Sequence, residues 1–335
     1  MKSKPLVSII TPCYNGAQYL HLFFESILRQ TYPKIELVFV NDGSTDDTES
    51  IALSYQKLIE DKGYRFQYIS QPNKGQAAAV NQGLKVITGE YLTWPDCDDW
   101  LTDNCIERKV ELLKEHPEWD LLCCRTNAVS EVDLCEVIHT YERKSKNVEH
   151  FFEDLILEKD VYFSPGGYMV RTDALMSVLK DGQIYEGRGG QNWQLLLPVA
   201  YTRKCGFVDD ILYYYRVRAD SHSRAKKNPS DIIQRTFEHE TILTNTIKRM
   251  KISEEEKKKY ITLIKNKYLQ KRRRISFNSN DRSLMKASYK ELNENGKLDY
   301  SEKIECWEKM SYPVFLFLRI MHLPIGLLRR IKEAL

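Results

Sequence analysis

No stretch of this 335-residue chain approaches the ~18–20 consecutive apolar residues that a membrane-crossing helix needs, so a spanning segment is not expected. Its eight cysteines (13, 97, 105, 123, 124, 135, 205 and 306) include no CxxC pair. Scattered through a chain this long, they form no disulfide framework and read as reduced thiols of a cytosolic compartment. The opening "MKSKPLVSIITPCYNG" breaks its short apolar run at Pro12, so no secretory leader is expected. A net charge of +3 is too small to argue for nucleic acid. Internal repeats and low-complexity linkers are also missing. What is present is an ordinary globular composition, 42% hydrophobic and 29% charged, long enough for one large domain or a domain with a sizeable extension.

The first third alternates strand and helix signals. "LVSIITP", "IELVFVN", "FQYIS", "EYLTW" and "DLLCC" read as short buried strands. Between them, "QYLHLFFESILRQ" places Leu20, Phe23, Phe24, Ile27 and Leu28 at helical spacing. "STDDTESIALSYQKLIE" opens like a capped helix at Ser44 and Thr45, and Thr102 is a candidate cap for "TDNCIERKVELLKEH". Such alternation with short connections predicts a doubly wound, mostly parallel sheet flanked by helices. In those sheets ligands sit beyond the carboxyl ends of the strands. Thr11–Asn15, Asn41–Ser44, Gln71–Gly75 and Asp96–Asp99 all follow predicted strands, so four polar clusters converge on one edge. Farther on, "FSPGGYMVRTDAL" and "GGQNWQLLLPVAY" suggest glycine loops folding back over that edge, and "FVDDILYYYRVR" a late strand.

The densest polar feature is "PDCDDW", residues 95–100, with three carboxylates in four positions. Like charges that close call for a cation. Asp96 and Asp98 offer hard oxygen donors at a strand end, which suits Mg²⁺ or Mn²⁺ shared with substrate phosphates. Asp99 reads as a cap for the following turn, and Asp103 as a charge on the next helix dipole.

Taken in order, "VSIITPCYNGAQYLHLFFESILRQTYPKIELVFVNDGSTDDT", "QPNKGQAAAVNQGL" and "GEYLTWPDCDDW" resemble the family 2 glycosyltransferases of GT-A fold, continuously over about residues 5–104. Each motif alone is weak; the ordered set is specific. The resemblance implies transfer of a sugar from a nucleotide sugar, with inversion and with a divalent metal, Mn²⁺ or Mg²⁺, at Asp96-Cys97-Asp98. Asp98 would be the first metal ligand, and Asp96 would lie near the ribose and share the metal. Tyr14 resembles the contact to the base, with Thr11 and Asn15 on the same edge. Asp42 matches the acid that accepts from a uracil ring N–H, implying a uridine donor. Asn73, Lys74 and Gly75 match the loop beside the nucleotide, although Lys74 is equally readable as a solvated charge.

One element departs from the pattern. Inverting transfer needs a base for the acceptor hydroxyl, and the family supplies it from an acidic pair before an aromatic residue. Here Gln191-Asn192-Trp193 stands in that place, and an amide takes no proton near neutral pH. Three explanations stay open: Glu186 supplies the base; Asn192 positions the acceptor while the donor phosphate takes the proton; or the chain binds nucleotide sugar without transferring it. "YYYRVRADSHSR" resembles the late family segment near the diphosphate. Arg218 and Arg224 would meet phosphate, and His222 lies where some GT-A enzymes place a metal-binding histidine, although a lone histidine is commonly a structural hydrogen-bonder.

From Lys248 to Arg274 there are twelve Lys or Arg against three Glu, partly as helix-face pairs. The end, "YPVFLFLRIMHLPIGLLRRIKEAL", mixes apolar and basic residues and suits a helix lying in an anionic membrane surface, or a helical lid on the catalytic domain. The expectation is therefore an α/β GT-A catalytic domain over 1–225 and a helical basic extension over 226–335, cytoplasmic and peripheral at the membrane. The acceptor would be a glycan or lipid-linked oligosaccharide, with no nucleic-acid partner. A nucleotidyltransferase shares the sheet and the metal chemistry, but the motif order fits it less well.

Overall fold

The computed structural model describes residues 4–145, 151–218, 228–279 and 282–294. The chain forms two compact units, Met1–Ala225 with Thr241–Tyr260, and Lys226–Glu240 with Ile261–Leu335.

Among the described residues the first unit is built on nine strands: β1 (Val7–Cys13), β2 (Ile35–Asn41), β3 (Arg65–Ser70), β4 (Tyr91–Thr93), β5 (Trp100–Leu101), β6 (Trp119–Ser130), β7 (Val137–Tyr141), β8 (Tyr168–Arg171) and β9 (Lys204–Val217). They run in the order β3-β2-β1-β4-β8-β6-β9-β5, with β7 beside β6. Every residue of β1 and β2 is buried, as continuous apolar runs covered on both faces should be. From β3 to β4 all pairings are parallel, as the sequence pattern predicts. Beyond β4 the sheet is mixed. β8 lies antiparallel to both β4 and β6, β6 and β9 are parallel, and β5 and β7 pair antiparallel to β9 and β6.

The helices of this unit are α1 (Ala17–Leu28), α2 (Thr48–Ser54), α3 (Gln56–Asp61), α4 (Gln76–Leu84), α5 (Cys105–Glu115), α6 (Phe151–Leu157), α7 (Thr172–Val178) and α8 (Gln191–Thr202). α1 buries Leu20, Phe23, Phe24 and Ile27 on the face that their spacing predicts. Phe24 stacks on Tyr55 with ring centroids 4.7 Å apart. The single helix expected from Ser44 is two short ones divided at Tyr55, and the first begins only at Thr48. Ser44 and Thr45 are drawn away by Asn15, and Asp46 instead accepts from the Thr48 and Ala17 amides. Thr102 does not cap α5 with its side chain, which donates to Asn104 Oδ1 instead; the helix starts after Asn104, and the Thr102 carbonyl accepts from the Cys105 amide. The two expected glycine loops are corrected in the same sense. The glycines make the turns, whereas the apolar runs behind them form β8 with α7, and α8, because those side chains have core to fill.

Three longer helices follow: α9 (Pro229–Arg249), α10 (Glu254–Asn278) and α11 (Arg282–Glu294). α10 opens on a reciprocal cap. The Glu256 amide donates to Ser253 Oγ at 3.2 Å, and Glu256 Oε2 accepts from the Ser253 amide at 3.0 Å. In the second unit Arg272 is buried over the Phe237 ring and paired with Glu240 at 2.7 Å and Glu291 at 3.4 Å. Part of the basic excess is thus consumed inside the fold. Among the described residues no helix is long and apolar enough to cross a membrane. The apolar and basic segment 312–335 lies outside the described residues, as do His222 and Arg224.

Candidate functional site

The carboxyl ends of β1, β2 and β4 bring the predicted clusters together. β4 runs through Trp94 and Pro95 into the acidic turn, where carboxylate oxygens of Asp96, Asp98 and Asp99 lie within 4.8 Å of one another. Each acid is held differently. Asp96 Oδ1 accepts from Gln76 Nε2 at 2.8 Å, and its amide donates to the Tyr213 hydroxyl oxygen at 3.2 Å. Asp98 Oδ2 lies 3.3 Å from Arg218 Nε, and its carbonyl accepts from Arg216 Nε at 3.0 Å. Asp99 is buried, with Oδ2 accepting from the Tyr213 hydroxyl at 2.7 Å and Oδ1 from the Arg216 amide at 2.8 Å. It is therefore not the turn cap that the sequence suggests. It ties the acidic turn to β9. Asp103 is likewise engaged in a pair with Arg29 at 2.9 Å.

Burial pushes the Asp96 carboxyl up to about 8, with the charge of Asp98 adding to the rise and Arg218 opposing it. Burial, with the charges of Asp98 and Asp96, also raises Asp99 well above the carboxylate range, against the hydrogen bonds from Tyr213 and Arg216. Burial and close spacing therefore disfavour the charged forms of these carboxyls in the protein alone, and a divalent cation bound there would reverse that preference. Hard oxygen donors from Asp96 and Asp98 suit Mg²⁺ or Mn²⁺. Asp99 is the least available, since both of its oxygens already accept from the protein.

Beside this turn stands a closed hydrogen-bonded frame. Asp42, 4% exposed, accepts from Gln71 Nε2 at 2.6 Å and from the Lys74 and Gly75 amides at 2.9 and 2.8 Å. Its carboxylate fixes the 71–75 loop, and Gly43 at φ +75° lets the two loops meet, since a Cβ there would lie 2.6 Å from the Asn73 nitrogen. Asn15, at φ +49°, receives the Thr45 amide at 2.8 Å and donates its own amide to Ser44 Oγ at 2.9 Å. Tyr14 is 50% exposed beside it, and Asn73 and Lys74 are exposed. Thr11 is fully buried, and among the described residues its Oγ1 finds no hydrogen-bond partner.

The segment 185–192 closes the other side. The Gln76 amide donates to the Arg188 carbonyl at 3.1 Å, and Gly75 permits that approach. Glu186 is exposed on this segment, as is Arg188. Gly190 turns at φ +74° into α8, and Asn192 in its first turn accepts at Oδ1 from Trp94 Nε1 at 2.8 Å. The position where a family base is expected is thus joined to the strand that delivers Asp96.

Sequence reasoning missed Gln76, Trp94, Tyr213 and Arg216. Arg216 lies on β9 and Arg218 one residue past its end, two apart, a spacing that puts both on one face, and their guanidinium carbons lie 5.0 and 4.8 Å from the Tyr19 ring centroid. That alternation is the one signal that points to Arg216 once Arg218 is suspected.

A family model described as Glycosyl transferase family 2 matches residues 8–179. Glycosyltransferase GlyG of Streptococcus pneumoniae serotype 4 is 40% identical over 246 residues, 66% of this chain and 74% of that one. An uncharacterised glycosyltransferase of Rickettsia typhi is 43% identical over 118 residues, 35% of each chain, so this chain spans about a third of that relative's length. Among solved structures, residues 1–349 of Staphylococcus aureus TarS with UDP-GlcNAc superpose with a TM-score of 0.60 at 20% identity, covering 81% of this chain and 75% of that one. The mannosyltransferase PcManGT of Pyrobaculum calidifontis, with GDP-Man and Mn²⁺, does so at 0.54 and 17%, covering 89% and 77%. These two likenesses establish the fold, the GT-A arrangement that the motifs imply.

Proposed function

The chain belongs to glycosyl transferase family 2, and from that premise we propose that it transfers a sugar from a nucleotide sugar, UDP-linked, to a glycan or lipid-linked acceptor, with inversion and with a divalent metal. The observation that carries the reading is the acidic turn placed beside the Asp42 frame at one sheet edge. TarS with UDP-GlcNAc and PcManGT with GDP-Man and Mn²⁺ share the fold and lend support to a nucleotide-sugar donor.

Asp42 spends three of its roughly four acceptor positions on its own chain, which leaves one for a base N–H and holds the carboxylate rigid for it. Tyr14 offers an exposed ring to the base, and the orphaned Thr11 hydroxyl is a ready hydrogen-bonding group at the same edge. A cation held by Asp98 and Asp96 would supply Lewis-acid stabilisation of the charge on the departing diphosphate. Arg218 adds a fixed positive charge at the turn. Asn192 has its carbonyl oxygen engaged by Trp94, so its NH₂ is what it presents. It orients an acceptor oxygen by donating to it and does not take the proton. Glu186, exposed on the neighbouring segment, is our candidate base.

The test is hydrolysis of a panel of UDP- and GDP-sugars by the purified protein with Mn²⁺. UDP release from one preferred donor is expected, and its loss in Asp98→Ala would tie the reaction to the turn. A second reading, nucleotide-sugar binding without transfer, is favoured by the amide at position 192. Tight UDP binding with no release from any donor and no transfer to any acceptor would select it.

The described basic residues leave membrane contact as a proposal alone. Binding to vesicles containing anionic lipid, weakened by salt, is the outcome that would support a lipid-linked acceptor.

A further inference from the structure

The buried face of α5 carries one residue of the wrong kind. Cys105, Ile106, Val110, Leu112 and Leu113 fill it as helical spacing requires, and Lys109 stands among them, fully buried, where the period calls for an apolar side chain. Among the described residues no carboxylate pairs with it, and its neighbours are the thiols of Cys105, Cys123 and Cys124. Burial opposes its charge and those thiols favour it, with the net direction upward, so Lys109 stays an ammonium. Thiols are weak hydrogen-bonding groups, and an ammonium buried without a carboxylate costs the fold stability.

What Lys109 holds is a carbonyl. Its Nζ donates to the Gly166 oxygen, in the middle of the single turn Pro165–Gly167. Gly166 in its turn packs directly on the Tyr213 ring, with no room for a Cβ between them. The same turn is tied at its start by Ser164 Oγ, which donates to Thr126 Oγ1 at 2.9 Å. At the far end of the ring, the Tyr213 hydroxyl donates to Asp99 Oδ2 at 2.7 Å and accepts from the Asp96 amide at 3.2 Å. Lys109 thus reaches the acidic turn through one carbonyl and one ring, and among the described residues it touches none of the three carboxylates itself.

We propose that Lys109 is a positioning residue for the metal site: it fixes the Pro165–Gly167 turn against the Tyr213 ring and so sets where the Tyr213 hydroxyl holds Asp96 and Asp99. The inference rests on the metal-dependent reading above and gives the buried ammonium a role within it. Tyr213 is fully buried, and a close-packed interior passes a shift of the ring's backing on to its hydroxyl rather than absorbing it. A displaced hydroxyl moves the backbone of Asp96 and frees an oxygen of Asp99, and a metal site tolerates little such movement.

The test is a double-mutant cycle on the full chain. Mn²⁺ affinity is measured by electron paramagnetic resonance with UDP present, for wild type, Lys109→Met, Tyr213→Phe and the two together. Lys109→Met is expected to weaken Mn²⁺ binding about three- to tenfold. Its melting temperature should stay near that of wild type, because the lost hydrogen bond and the relieved burial of the ammonium oppose each other. The double variant should bind Mn²⁺ no more weakly than the worse single one, since both substitutions cut the same line to the turn. A merely structural lysine would leave Mn²⁺ binding unchanged, or its effect would multiply with that of Tyr213→Phe. Either result would overturn the inference while leaving the metal-dependent reading standing. Lys109→Gln, which keeps a shorter donor, replaces Lys109→Met in the cycle should the latter not fold. If neither folds, Lys109 is a folding residue and the inference is overturned. Failure of wild type to bind Mn²⁺ even with UDP would overturn both.

Discussion

The two sides of the acidic turn are built to different standards. On the side of Asp42, both carboxylate oxygens are engaged, the 71–75 loop is fixed by two of its own amides, and Asn15 staples the first loop to the second. On the side of Asn192, one hydrogen bond from Trp94 holds the position where a base would stand, and Glu186 and Arg188 are exposed. A frame with its polar groups satisfied is rigid before its ligand arrives and suits the part of the substrate that does not vary. The sparser side is held by fewer bonds and can change partners at less cost to the fold than the first. The nucleotide would be read by the first side and the acceptor met by the second.

The sharpest way to break this comparison is Asp42→Ala. It strands the Gln71 amide and the Lys74 and Gly75 N–H groups, at about 1–3 kcal/mol for each buried unsatisfied group. Nucleotide affinity should fall about a hundredfold, read by UDP titration, while thermal stability falls less because the loop relaxes into water. Tyr213→Phe removes the hydroxyl that serves Asp96 and Asp99 together but keeps the ring. We expect kcat/KM down about tenfold, as one lost buried hydrogen-bonding group implies.

A third prediction concerns pH. Asp96 is raised to about 8 in the fold, and Asp99 is raised in the same direction. A carboxyl raised by folding favours the native state below its unfolded value and ceases to as pH climbs through the folded value. The metal-free protein should therefore lose stability from these groups between about pH 4 and 8. Mn²⁺ should raise the melting temperature by several degrees more at pH 8 than at pH 5. An equal shift at both pH values would show that the turn is not where the metal acts. The smallest effect is expected on the sparse side. Asn192→Ala should leave UDP affinity unchanged and raise the acceptor KM by about threefold, the loss of a single neutral hydrogen bond.

The same division governs how much could be read from the chain alone. The Asp42 side is written in short contiguous stretches, "TPCYNG", "NDGS", "QPNKG" and "PDCDD", each at or directly after the end of a strand, so strand order alone brings them to one edge. Asp42 was legible as a candidate, but not as the anchor of the 71–75 loop, because its partners lie about thirty positions away and depend on the pairing of β2 with β3. Asp99 was misread for the same reason: its partners are on β9, more than a hundred residues later. The mixed half of the sheet was hidden because β8 contributes only four residues, too few for a period, and its antiparallel seat between β4 and β6 is decided by packing. The substitution of an amide for the family acid at position 192 was plain in the sequence. Its hydrogen bond to Trp94, which decides what the amide presents, was not.

The most direct test of the central claim is calorimetric titration of UDP into wild type and Asp98→Ala, each with and without Mn²⁺. If the acidic turn and the Asp42 frame together form a metal-dependent nucleotide site, Mn²⁺ should tighten UDP binding to wild type by at least about tenfold, and Asp98→Ala should bind UDP weakly and equally in both conditions. A Mn²⁺-dependent gain that survives intact in Asp98→Ala would contradict the account and move the metal elsewhere.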